Sequence, residues 1–323
     1  MTGTPLNLPT EPTEYVGLTR GPLRAWWRPL FSLLLLLLAA LLLAVPVLLL
    51  ALGIALARGL PAISLVDQFN VFTNGALGLA MNSLALALGI PAVILATSLG
   101  QRLPCGFVHS VAGRFRWDWF ARITLCLLPV FVLSIGTIRV VNFTGVHPEP
   151  DWVWLILVAL LLTPFQTAGE EYVFRGWLLQ NVGGWFRTRC LAWGVPVVLS
   201  TAFFSLLHGS LDPWVLLDLI IFTLATMLVI WRTGGIEAAI AMHVLNNVLV
   251  LGSGAVLGGV RASLVTQQST AGWDLALGAL ITQGLAVVVV FWAARRFGIR
   301  RFSDPRGLGS VGDPGVRLGE RAG

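Results

Sequence analysis

The chain has 323 residues, 56% of them hydrophobic and 11% charged, with a mean hydropathy of +0.84. A soluble domain carries about a quarter charged residues, so this composition excludes an ordinary water-soluble globule and predicts apolar runs of ~18 residues or more that cross a membrane. The formal charge is +6, and the three cysteines, Cys105, Cys126 and Cys190, stand apart without CxxC spacing. Neither a disulfide framework nor a thiolate metal site is supported, and the basic excess fits membrane-flanking loops rather than a nucleic-acid surface. All 21 basic residues are arginine, a usage that points to a GC-rich bacterial genome.

In chain order, residues 1–28 are polar and read as a disordered tail rather than a cleaved signal peptide, because the lead and the apolar run behind it are both too long. Eight apolar segments follow, at 30–57, 76–98, 123–141, 152–179, 195–208, 214–231, 235–257 and 275–294. The stretch 29–122 holds the first membrane helices and a cytoplasmic loop, 123–297 forms the membrane core, and 298–323 reads as a second disordered tail. The expected fold is all-α, a polytopic bundle of about eight membrane helices. Arg20, Arg24, Arg28, Arg102, Arg114, Arg116, Arg122, Arg187, Arg189, Arg232, Arg295, Arg296, Arg300 and Arg301 flank one set of segment ends, while the other set has Arg58, Arg139 and Arg261. That bias predicts a multi-pass protein of the bacterial inner membrane with both termini cytoplasmic.

A charge near the bilayer centre costs at least ~2.5–3.5 kcal/mol and marks a function or a pairing. Glu170, Glu171, Arg175, His208 and His243 break the apolar pattern, and Asn247 lies one turn after His243. On a helix Glu171 and Arg175 are four apart and can pair, leaving Glu170 free. A free carboxylate in a low-dielectric site suits a general base. His243 and Asn247 share a face and could hold a developing oxyanion. Each group alone has a plain structural reading: a charged loop at the membrane edge, a packed or capping histidine, an interhelical polar clasp. Together they supply a base, its partners and oxyanion donors.

The runs Glu170-Glu171-xxx-Arg175, Phe204-xxx-His208 and His243-xxx-Asn247 resemble the three motifs of the CPBP family, the CAAX-protease and bacteriocin-processing intramembrane endopeptidases, also called type II CAAX prenyl endopeptidases or Abi proteins. The resemblance spans roughly residues 150–250. It implies that 123–297 is a catalytic core of helices around a cavity, and that Glu170 activates the attacking water with help from His208. It also implies that His243 and Asn247 stabilise the oxyanion, with Glu171, Arg175 and Phe204 in supporting roles. The implied partners are a membrane-associated protein or peptide substrate and the lipid bilayer, with no nucleic acid. The favoured mechanism needs no cofactor or metal. The alternative, for a family long described as metalloproteases, is a zinc ion on Glu170, His208 and His243. Two further alternatives are a catalytically inactive scaffold or immunity protein of the same fold and a proton-coupled transporter, which calls for paired broken helices in two related halves.

One tension remains. A straight helix starting outside at Trp152 puts Glu170 about 27 Å down its axis at 1.5 Å per residue, far in depth from His208. The expectation is a single long, tilted helix running to about Gln180, with the next segment starting near Pro196.

Overall fold

A computed structural model describes residues 6–61, 69–260 and 264–305, with the side chains of 71–73 left aside. The described residues contain helices and two isolated β-bridges, and no strand. The principal helices are α1 (Arg28–Ala57), α2 (Asn74–Gln101), α3 (Trp117–Val141), α4 (Trp152–Leu161), α5 (Thr163–Gly183), α6 (Arg189–Leu207), α7 (Pro213–Thr233), α8 (Glu237–Leu257) and α9 (Trp273–Arg296). Seven of them are long and apolar enough to cross a membrane, and α4 with α5 makes an eighth if the bent pair counts as one span. The protein is a multi-pass helical membrane protein.

Which helices face lipid follows from where the apolar side chains point. Leu37, Leu41, Leu42 and Leu49 of α1 are exposed, an outer surface that water would not tolerate over this extent. On α8, every residue from Glu237 to His243 is buried. A helix buried all round lies inside its bundle, and α8 packs against α3, α4, α5 and α7. The histidine motif therefore sits on the central helix.

The fourth apolar segment is not one tilted helix. It breaks at Leu162 and turns by 42° between α4 and α5. Pro164 in the first turn of α5 has no N–H to continue the ladder of α4, and the hydroxyl of Thr167 donates to the carbonyls of Thr163 and Pro164 instead. Within α5, Tyr172–Leu178 widens into a π-helical stretch directly after the glutamate pair, a feature that often marks functional sites. The next helix starts at Arg189 rather than near Pro196, which lies inside it.

Glycine sets one close approach. A methyl group on Gly169 would run into the backbone of α2 at Leu86 and Ala87, and one on Gly89 would meet the Gly169 carbonyl at 2.9 Å. The residue just before Glu170 is thus where α5 and α2 touch backbone to backbone.

The stretch read as a disordered N-terminal tail is packed over residues 6–27. Tyr15, Val16 and Leu18 are buried, and the Tyr15 hydroxyl donates to the Val108 carbonyl. The start of the stretch read as the C-terminal tail joins it: the Ser303 amide donates to the Thr13 carbonyl at 2.9 Å, and Glu14 pairs with Phe302 in a β-bridge. Three apolar side chains hidden among prolines and glycines anchor this segment. Residues 306–323 of that second tail lie outside the described residues.

Candidate active site

Helices α5, α6, α7 and α8 bring the motif residues together. Glu170 and Glu171 end the regular part of α5 before the widened turn. Glu171 and Arg175 pair as expected, at 3.2 Å and with both side chains 0% exposed. The contact is an ion pair by distance, but its angle is too poor for a hydrogen bond, and Arg175 Nη2 instead donates to Thr223 Oγ1 of α7 at 3.1 Å. The guanidinium is caged by rings, with Cζ 4.2 Å from the centroid of Phe204 and 5.7 Å from that of Phe222. Aromatic faces partly replace the water that a buried cation loses.

Glu171 is not set apart from the histidines. His243 Nδ1 lies 2.9 Å from Glu171 Oε1, so a carboxylate from α5 orients the imidazole of α8. An ionised carboxylate only accepts, so Nδ1 carries a proton and Nε2 is the nitrogen turned toward Glu170, 3.7 Å from Oε2. That gap is longer than a direct hydrogen bond. The other Glu170 oxygen accepts from Gln166 Nε2 at 2.7 Å, one turn earlier on α5. Glu170 keeps a 13% exposed side chain, whereas Glu171 has none. The two adjacent carboxylates thus occupy different settings, Glu171 locked between Arg175 and His243 and Glu170 beside the other edge of that imidazole with some access.

His208 follows the last residue of α6. Its Nδ1 lies 2.7 Å from the Phe204 carbonyl, which can only accept, so in the neutral ring Nε2 is left with a free lone pair. The His208 ring centroid is 4.5 Å from that of Phe204, and Phe204 also contacts His243 at 6.1 Å. One phenyl ring therefore neighbours both imidazoles and Arg175. The structure does not join His208 to Glu170 by a hydrogen bond. Asn247, one turn past His243, accepts from Asn246 Nδ2 at 3.1 Å through its oxygen and makes no hydrogen bond to the other motif residues.

The proposed zinc set does not close. Among the described residues, no three histidine, cysteine or acidic side chains are arranged to hold a metal ion. Both His243 nitrogens face carboxylates and His208 Nδ1 is taken by a carbonyl.

Sequence reasoning missed Gln166, Thr223 and His109. Gln166 had a readable signal, an amide four residues before Glu170 on the same helix face. Thr223 is a hydroxyl in an apolar run, which has many roles. His109 Nδ1 shares a hydrogen bond with the Tyr172 hydroxyl at 2.6 Å and so ties the one-turn helix Gly106–His109 to the residue after Glu171. Burial holds its pKa below the ordinary histidine value, against an upward pull from the Glu237 charge. Glu237 opens α8 and takes a two-pronged hydrogen bond from Arg116 at 2.8 and 2.7 Å.

Residues 149–249 match a family model described as Type II CAAX prenyl endopeptidase Rce1-like. The motif-bearing core is Rce1-like. This Rce1-like segment contains every motif residue named above, and it agrees with the CPBP resemblance carried by the three motifs. The chain is also 24% identical over 221 residues to "Uncharacterized protein YyaK" of Bacillus subtilis (strain 168), covering 63% of this chain and 72% of that one. No solved structure matches the chain significantly. The likeness of residues 149–249 to this family points to a CAAX-type intramembrane protease, and hence to a membrane-associated substrate met in a lipid environment.

Proposed function

We propose that this Rce1-like protein is an intramembrane endopeptidase that cleaves a membrane-associated protein or peptide with a glutamate-activated water, without a metal. The single observation that carries the reading is the pair of contacts on His243: Glu171 holds Nδ1, and Nε2 is thereby aimed at Glu170. Glu170 takes a proton from a water while the water oxygen attacks the scissile carbonyl carbon. His208, through its free Nε2, helps to orient that water. The oxyanion that forms is met by His243, in its doubly protonated form, from Nε2–H. The second donor is the Asn247 amide, whose oxygen is already occupied and whose N–H groups remain to donate. Glu170 then passes its proton to the leaving amine as the carbon–nitrogen bond breaks. Arg175 and Phe204 hold Glu171 and His243 in register. The reading extends to a bacterial inner membrane with both termini cytoplasmic, from the arginine bias of one set of loops.

The two alternatives, a catalytically inactive scaffold or immunity protein of the same fold and a proton-coupled transporter, make different predictions. A transporter built on inverted repeats calls for two broken helices, whereas one bent pair is found among the described residues. The test is peptide release from membranes of cells carrying the wild-type chain, Glu170→Gln or His243→Ala, with new N-termini identified by mass spectrometry. At least one peptide bond should be cut only with the wild type. If the wild type and both variants give the same peptides, the protease reading fails. Cleavage that survives exhaustive chelation supports the glutamate mechanism, and cleavage lost on chelation and restored by zinc overturns it.

A further inference from the structure

At the end of the bundle where the two terminal stretches meet there is a cavity of about 600 Å³. Its walls come from three parts of the chain: residues 9–21, the start of α6, and residues 301–302. Four guanidinium groups line it, those of Arg20, Arg187, Arg189 and Arg301, against the two carboxylates of Glu11 and Glu14. Glu14 is already spent. It accepts from Arg189 at 2.8 and 3.1 Å, from Arg301 at 2.5 Å and from Trp193 Nε1 at 3.1 Å. Arg20 donates to the Gly183 carbonyl at 2.8 Å and faces no carboxylate at bonding distance. Burial, and then the charge of Arg24, pushes its pKa down, against an upward pull from the Glu14 charge. Arg187 has neither an ion pair nor a hydrogen bond among the described residues.

We propose that this cavity binds a phosphate-bearing anion, and that its source is the headgroup of an anionic phospholipid. A compact group with several acceptor oxygens matches converging guanidinium forks better than a single carboxylate does. The location favours a lipid over a solute. The candidate membrane helix α6 begins at Arg189, in the cavity wall, and α1 begins at Arg28, seven residues after Gly21 of that wall. Trp26, Trp27 and Trp185 are exposed nearby, with Trp185 Nε1 donating to the Trp26 carbonyl and Arg24 donating to that of Trp185. Tryptophan collects at the headgroup level, and basic pockets at the ends of membrane helices hold lipid headgroups. The site also reaches the far end of the glutamate-bearing helix, because Thr19 and Arg20 bond the carbonyls of Gln180 and Gly183 in α5.

The test uses the full chain in nanodiscs of phosphatidylcholine, with phosphatidylglycerol titrated into the bilayer or inorganic phosphate into the buffer at constant ionic strength. Thermal unfolding is followed for the wild type and Arg187→Gln. Arg187 is exposed and unpaired, so the variant should unfold like the wild type in phosphatidylcholine alone. Phosphatidylglycerol should raise the unfolding temperature of the wild type, and Arg187→Gln should need about fivefold more of it for the same rise, as the loss of one headgroup-level arginine implies. An Arg187-dependent rise with inorganic phosphate alone keeps the phosphate site and overturns the lipid source. No rise with either, or equal rises in wild type and variant, overturns the site itself.

Discussion

Glu171 and Glu14 do the same thing in two different solvents. Each carboxylate bridges two nitrogen-bearing partners, Arg175 and His243 for Glu171, Arg189 and Arg301 for Glu14. Around Glu171 nothing is exposed but a sliver of His243, whereas Arg189 in the other cluster is 61% exposed. Water can replace a lost partner at Glu14 and cannot at Glu171. The first cluster should therefore behave as a unit that fails when any member is removed, and the second as a loose clasp sensitive to salt and acid.

The comparison breaks most sharply at the neighbour of Glu171. Glu170→Gln keeps the shape and the Gln166 contact but removes the base. Turnover should fall by about 10²- to 10⁴-fold with no change in unfolding temperature, and a variant that cleaves at wild-type rate rejects Glu170 as the base. Arg175→Ala strands Glu171 against His243 inside the bundle, and the loss of one partner of a buried pair costs about 3–5 kcal/mol. Reversible unfolding in detergent micelles should show it, and a loss below about 1 kcal/mol would mean that the three groups do not act together. Gly169→Ala adds one methyl group where α5 meets α2. Overpacking should cost about 1–3 kcal/mol, with cleavage reduced through a displaced Glu170, whereas Gly194→Ala, where a methyl group meets nothing within 4 Å, should leave both unchanged.

The smallest effect belongs to the partly exposed clasp. Glu14→Gln should cost less than about 1 kcal/mol, and less again in high salt. Burial alone would raise the Glu14 pKa, but hydrogen bonds from Arg189 and Trp193 and the charges of Arg301 and Arg189 outweigh it and hold the carboxyl below its ordinary value. The folded chain thus binds this proton less readily than the unfolded one, whose pKa is about 4.3. The contribution is complete above that value and disappears as pH falls through the lower, folded one. A wild-type advantage over Glu14→Gln that grew on acidification would contradict this assignment.

Local rules made part of this legible. The Glu171–Arg175 pair follows from four-residue spacing, and the membrane class from composition. The His243–Glu171 contact does not, because it joins residues 72 apart on two helices, and nothing in a single sequence selects Glu171 over Glu170 as the partner. The break at Leu162 had a signal in Pro164, but proline near the start of a helix also leaves many helices straight. The packed segment before α1 was hidden by its proline and glycine content, since Tyr15, Val16 and Leu18 are too few to show a period.

The bridge between Glu14 and Phe302 also bears on a question of parity. A chain whose stretches before α1 and after α9 bond to each other, as Thr13 and Ser303 do, must cross the bilayer an even number of times between them. If each of the seven helices long and apolar enough to cross does cross, the count is even only with the kinked pair α4–α5 as an eighth span, not as a loop that dips in and returns to the same side. On that count, the hydrogen bond between Ser303 and Thr13 bears on the path of the helix that carries Glu170.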